Sequence, residues 1–458
     1  MASTVFDSSI FRDMFGTEAM RAVCSDQAVV ARYVEVEIAL ALAEAKAGVI
    51  PAAAAAAIAA HARAGAIDYD RLKRESDVVG YPILPLVRQL ARQCTEAGAG
   101  DAGRYIHWGA TTQDIMDTAT VLQLRAALDL VAAEMAAVAT ALEGLAKQYR
   151  DTPMAGRTHF QQALPITFGH KAAIWLSMLQ RHTERLAQAR PRIELVQFGG
   201  AAGTLASLGP HGLAVRRELA RELKLAEPSI TWHVARDGVT EAVLLLGLIT
   251  GSLAKIATDV MVMMATEFAE VAEPFVEGRG GSSTMPQKRN PISCELMLAA
   301  ARIVRQNCGL MLDGMVADFE RATGPWHLEW VAIPEAFLAT SSALFQAKFM
   351  LSGLVVDAAR MRHNLDMTAG LIVAEAVMMG LAPHIGRNEA HDVVYEACRA
   401  AVARKTSLLA QLEANPAVTQ HLSANDLSAL VEPSNYLGAA GAMVDQVLDH
   451  QRRSTGAL

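Results

Sequence analysis

The stretch from Gly278 to Glu295, GRGGSSTMPQKRNPISCE, joins two kinds of residue that rarely sit together. Gly278, Gly280, Gly281, Ser282 and Ser283 give a backbone free to move and to adopt positive φ. Pro286, Lys288, Arg289, Asn290 and Pro291 then supply cationic and amide donors on proline-restricted backbone. Long apolar helical segments flank the stretch on both sides. A mobile hydroxyl followed by a carboxylate-binding cluster points to chemistry on a small anionic molecule. The bland alternative is a surface loop rich in turn residues.

Composition limits what surrounds it. At 458 residues the chain has room for two or three domains. Hydrophobic residues make up 52% and aromatics only 5%, with Ala and Leu leading, which favours helices burying a large surface. Lys and Arg number 41 against 48 Asp and Glu, so the net charge of −7 offers no basic footprint for nucleic acid. An anionic substrate must be held by local cations. Cys24, Cys94, Cys294, Cys308 and Cys398 lack metal-ligand spacing and read as reduced thiols of a cytoplasmic protein. The opening MASTVFDSSIFRDMF lacks the basic and apolar regions of a signal peptide.

Helical spacing runs from Asp26 to Ala47, with Gly48 as a stop, and an Ala-rich helix follows from Pro51 to His61. Two prolines between Glu75 and Val87 predict a bent connection. A long amphipathic helix spans Ala119 to Tyr149, and Asp151-Thr152-Pro153 breaks it. Val239 to Thr266 is the most apolar run. Glu241, Lys255 and Asp259 interrupt it, so it reads as the buried helix of a bundle shared between subunits, and no membrane contact is expected. Ala382 to His450 reads as a small helical domain.

The opening stretch resembles the GSSxMPxKxNP motif of the aspartase/fumarase superfamily, matching at Gly281, Ser282, Ser283, Met285, Pro286, Lys288, Asn290 and Pro291. Other blocks resembling the superfamily follow in order. Tyr105 to Thr118, YIHWGATTQDIMDT, sets Thr111 and Thr112 ahead of a helix, where hydroxyls, N–H groups and the helix end make an anion site; simple N-capping is the plainer reading. His107 and Asp114 read as structural. Gly156 to His170 contains the pair Thr158-His159. Gln197 opens a glycine-rich corner, a candidate polar contact to substrate, and Asp318-Phe319-Glu320-Arg321 resembles the segment whose arginine reaches substrate. Arg236-Asp237 precedes the apolar helix, with Asp237 as its cap.

The resemblance implies an all-α, three-domain fold with a long central helix bundle, divided at 1–103, 104–350 and 351–458. It implies a homotetramer with shared active sites, acting on a small dicarboxylate without metal or organic cofactor. In that scheme Ser282 is the base, His159 the acid toward the leaving group, and Glu295 the carboxylate that pairs with His159. Thr111, Thr112, Thr158, Ser283, Met285, Lys288, Asn290 and Arg321 bind substrate. Ser76 stands where adenylosuccinate lyases carry a histidine, which counts against that substrate. Overall patterning favours the 3-carboxymuconate-lactonising branch, but that branch carries Thr-Trp at the Thr158-His159 pair and usually His at Gln287. A histidine suits protonation of a poor leaving group. The expectation is therefore a fumarate-forming C–N or C–O lyase, with the cycloisomerase second and a non-catalytic structural homologue a remote third.

Overall fold

The computed structural model describes residues 3–321 and 324–456. The fold is all-α, as the composition leads one to expect. Two short antiparallel strand pairings are the only sheets among the described residues. The long helices are α1 (Asp26–Lys46), α2 (Thr112–Gln148), α3 (Phe168–Ile193), α4 (Asp237–Met264), α5 (Ile292–Gly314) and α6 (Pro325–Ser352). The strands are β1 (Pro153–Thr158) and β2 (Gln161–Thr167), which pair together, and β3 (Val271–Ala272) and β4 (Val355–Val356), which pair together.

Two compact units form. Unit 1 gathers Met1–Met135, His182–Leu253 and Leu296–Phe345; unit 2 gathers Ala136–Arg181, Ala254–Glu295 and Gln346–Leu458. In unit 1, α1 starts with Ser25 as its cap, the hydroxyl accepting from Ala28 N–H, and carries Asp26 in its first turn and Lys46 in its last. Its apolar face, with Val30, Val34 and Leu40, joins Ile83, Leu86, Leu90, Ile115, Leu122, Val215 and Leu219 in one core. The bend expected over 75–87 is narrower than predicted. Helices Tyr69–Val79 and Ile83–Glu96 enclose it, and only Gly80 to Pro82 break the run, Gly80 at φ +91.

In unit 2, the C-terminal helices bury Val377, Leu381, Val394, Leu408, Leu412 and Leu427. A smaller cluster of Leu365, Ile372, Val373 and Ala376 seats Ala155 of β1.

The charges interrupting α4 have defined partners. Within unit 1, Glu241 accepts from Arg192. Within unit 2, Asp259 accepts from Lys255 and from the indole N–H of the fully buried Trp175 at 3.1 Å. By length and apolarity α4 could cross a membrane, yet 56% of its most apolar window is buried inside the protein. Leu248, Gly251, Lys255 and Thr258 form its exposed stripe, which fits a core helix.

Candidate active site

The Thr158-His159 block forms a hairpin that helical patterning had hidden. β1 and β2 lack strict alternation, and each contains a proline. Thr158 pairs with Gln161, leaving His159 and Phe160 as a two-residue turn at φ +52 and +60. Such a turn matches the twist of the strands but ordinarily selects Asn-Gly. Placing His and Phe there stores backbone strain at the tip, a common mark of functional positions. Thr158, His159 and Phe160 are all exposed. The hairpin base is fixed below them: Arg157 forms a bidentate pair with the fully buried Glu270 at 2.6 and 2.9 Å, and Asn364 donates to the same carboxylate at 2.8 Å.

Glu270 starts a four-residue segment that also anchors the glycine-rich loop. Glu273 accepts from the N–H groups of Ser293 (3.2 Å) and Cys294 (3.0 Å), capping α5 where the loop ends. Burial, with Glu273 next, pushes the Cys294 thiol far up, so it stays protonated. The loop neck is closed by Asn290 N–H donating to Gly280 C=O at 2.9 Å and by a bridge between Gly281 and Arg289. Gly280 sits at φ +70, and a Cβ there would lie 2.7 Å from the Asn290 oxygen. Arg279, stacked on Phe349, donates to Ser293 and Gln346 at 2.7 Å each.

Above this neck, the Ser282 hydroxyl oxygen accepts from Met285 N–H (3.1 Å) and Thr284 N–H (3.3 Å). Ser283, Met285 and Lys288 are exposed, and Asn290 and Ser282 are half-buried. Glu295 lies in the first turn of α5 with an exposed side chain. Within the chain neither Glu295 nor Ser282 shares a hydrogen bond with His159. The expected Glu295–His159 pairing is thus not made within one copy, because the two side chains stand on separately anchored elements.

The remaining candidates belong to unit 1. Thr111 and Thr112 sit at the start of α2. Arg321 donates to the Thr111 hydroxyl at 2.9 Å and to the Ala201 carbonyl at 2.6 Å, so these two candidates are brought together. Beneath them Asp114, fully buried, accepts from the backbone N–H groups of Thr111, Gly199 and Gly200 and meets the His233 ring at 2.7 Å. This explains the glycine-rich corner: a Cβ on Gly199 would lie 2.6 Å from the Thr231 hydroxyl.

Gln197 requires a correction. It was expected to touch substrate, but it is fully buried. Its amide nitrogen donates to Thr231 and Asp114, and its oxygen accepts from Trp232 N–H. With no free polar atom facing solvent, Gln197 is a strut of this corner. His107, read as structural, pairs with the buried Glu37 at 2.7 Å.

Arg236 was singled out only as a neighbour of Asp237. It is 2% exposed and doubly chelated by Asp117 (2.7 and 2.9 Å) and Glu329 (2.7 and 2.6 Å). Burial opposes its charge, but the two carboxylates outweigh it and push its pKa up. Trp326 also donates to Asp117.

The candidate groups thus fall in two sets: in unit 2 a half-buried serine hydroxyl on a glycine-rich loop and an exposed imidazole on a strained turn, and in unit 1 a threonine–arginine pair at a helix start. The chain belongs to the aspartase/fumarase superfamily of lyases. Residues 12–305 match the family described as "Lyase" and residues 370–447 the "Adenylosuccinate lyase C-terminus". Among curated relatives, trans-aconitate decarboxylase 1 of Mycosarcoma maydis is 48% identical, covering 95% of this chain and 88% of its own. A 3-carboxy-cis,cis-muconate cycloisomerase of Bradyrhizobium diazoefficiens is 45% identical (97% and 99% covered), and an N-acetyl-S-(2-succino)cysteine lyase of Dickeya dadantii 41% (98% of both chains). The crystal structure of a fumarate lyase from Mesorhizobium sp. BNC1 superposes with a TM-score of 0.89 at 57% identity, covering 95% of this chain and 98% of that one.

Proposed function

We propose that this protein is a fumarate-forming lyase that eliminates an amine or alcohol from a substituted succinate. The carrying observation is the setting of Ser282. Its oxygen already receives two backbone N–H donors on a pinched, glycine-rich loop, which favours the alkoxide over the neutral hydroxyl. That alkoxide takes the proton from the carbon beside one carboxylate. The resulting aci-carboxylate dianion is held by Lys288 and Asn290, with Thr111, Thr112, Thr158, Ser283, Met285 and Arg321 placing the substrate. Collapse forms the alkene and breaks the bond to the substituent, and His159 gives the departing nitrogen or oxygen its proton. The fumarate lyase at 57% identity, and a relative named for a succinyl thioether, support this class of substrate.

The candidates are divided between the two units, and Glu295 does not reach His159 within one copy. We infer a homotetramer in which different copies supply the blocks of each site. Light scattering should give four chains. Mixing inactive Ser282→Ala and Thr111→Val proteins should restore turnover; persistent inactivity of the mixture would refute shared sites.

The whole-length likeness to cycloisomerases supports a second reading, lactonisation of 3-carboxymuconate. Incubating the protein with fumarate and a panel of amines, beside 3-carboxy-cis,cis-muconate, separates the two. Consumption of fumarate only with an amine present is expected. Lactone formation without fumarate consumption would replace the lyase assignment with the second reading.

A further inference from the structure

Unit 1 contains a cavity of about 430 Å³ between one face each of α1, α2 and α6. Its size falls within the roughly 300–1,000 Å³ usual for small-molecule sites. Three features separate it from the site for the dicarboxylate.

First, none of its lining residues is Lys or Arg. Its charged members are Asp26 and Glu329, and both Glu329 oxygens are taken by Arg236. Asp26 is exposed at the start of α1 and forms no ion pair among the described residues. An anion would meet a lone carboxylate here and no cation. Second, Tyr33 is only 8% exposed, yet its hydroxyl has no hydrogen-bond partner among the described residues. Asp26 and Tyr33 lie two helical turns apart on one face of α1, and both line the cavity. The ring is buried while the hydroxyl opens on the cavity, so it offers a hydrogen-bonding group to whatever fills that space. Third, Pro334 interrupts α6 from within. It has no N–H to give the carbonyl of Trp330 four residues earlier. Trp330 and Pro334 both line the cavity, so the helical hydrogen bond that Pro334 cannot make is missing from this wall. Thr120 and Gln123 add a polar edge, and Phe337 and its aliphatic neighbours make most of the remaining wall apolar.

The cavity therefore offers one unpaired carboxylate and one phenol hydroxyl around a largely apolar interior. We propose that this cavity binds a small amphipathic ammonium ion, with its apolar body among the three helices and its charged head at Asp26. The assignment does not depend on which reaction the protein performs.

Titration calorimetry of the full-length protein with 2-phenylethylammonium tests it, with phenylacetate as the anionic counterpart of similar shape. Saturable binding of one ammonium ion per chain is expected, and no heat from phenylacetate. Asp26→Asn, a change at an exposed position, should weaken binding by about tenfold or more. Tyr33→Phe should weaken it severalfold. A saturating concentration of fumarate should leave binding unchanged, and both variants should keep the parent's basal turnover. Lack of saturation up to about 10 mM, equal binding of phenylacetate, unchanged affinity in both variants, or displacement by fumarate would each overturn the assignment.

Discussion

The polar groups of unit 1 and those of unit 2 obey opposite rules. Around Asp114, Asp117, Arg236 and Glu329 the side chains are buried, and charges and hydrogen bonds are matched at 2.6–2.9 Å. On the hairpin and the glycine-rich loop, His159, Ser283 and Lys288 stand exposed. Only their supports, Glu270 and Glu273, are buried and matched. A satisfied network fixes a shape and has no capacity left for a ligand. An exposed group on a fixed base can change partners during a reaction. Function is thus read from groups left free, and scaffold from groups fully engaged.

The sharpest test removes the loop hydroxyl on which two backbone N–H groups converge. Ser282→Ala should reduce turnover by about 10⁴-fold, while the melting temperature and assembly stay those of the parent. Steady-state kinetics beside calorimetry read both, and retained turnover would end the role given to Ser282. Next comes the opposite pole. Arg236→Met leaves Asp117 and Glu329 facing each other in the interior and should cost about 3–5 kcal/mol of stability. Urea unfolding would show it, and a change below 1 kcal/mol would mean this network is far better hydrated than its burial implies.

Glu44 departs from this pattern within unit 1, fully buried with both carboxyl oxygens unpartnered. Burial first, and then Glu37, raise its pKa from 4.5 to about 9. The folded protein therefore holds this proton more tightly than the unfolded chain does. Its contribution is complete below pH 4.5 and is lost as pH rises toward 9, with a slope of at most about 1.4 kcal/mol per pH unit. Glu44→Gln should flatten this slope in a series of melting curves; a parallel pH profile would show that Glu44 does not titrate across this window. The smallest effect is expected at a support. Arg157→Lys keeps the charge but loses the two-pronged grip on Glu270. It should lower kcat about tenfold through a wandering hairpin tip, with KM and melting temperature little changed. Arg157→Met should be worse, which distinguishes positioning from bulk stability.

Much of this was visible in the chain itself, and the reasons are specific. The helices announced themselves through Ala and Leu content and through stops such as Gly48. The loop from Gly278 to Asn290 was visible because glycine, proline and cations seldom alternate so closely. The hairpin was not visible, because its strands do not alternate and a His-Phe turn carries none of the usual turn residues. Glu270 and Glu273 were missed because two acidic residues three apart look like any solvated face. Their partners Arg157, Asn364, Ser293 and Cys294 come from three other segments. Gln197 was misread because an amide beside glycines looks available in sequence, whereas Thr231 and Trp232, more than thirty residues away, already occupy it.

Each unit is assembled from three separated segments, and this governs how the protein can be made. No single cut of the gene yields either unit whole. During synthesis the first unit waits for Phe345 and the second for the C-terminal segment, so apolar surface from early helices stays uncovered for most of translation. Truncated expression products should accordingly collect as aggregates, and trimming experiments should be confined to the extreme ends of the chain.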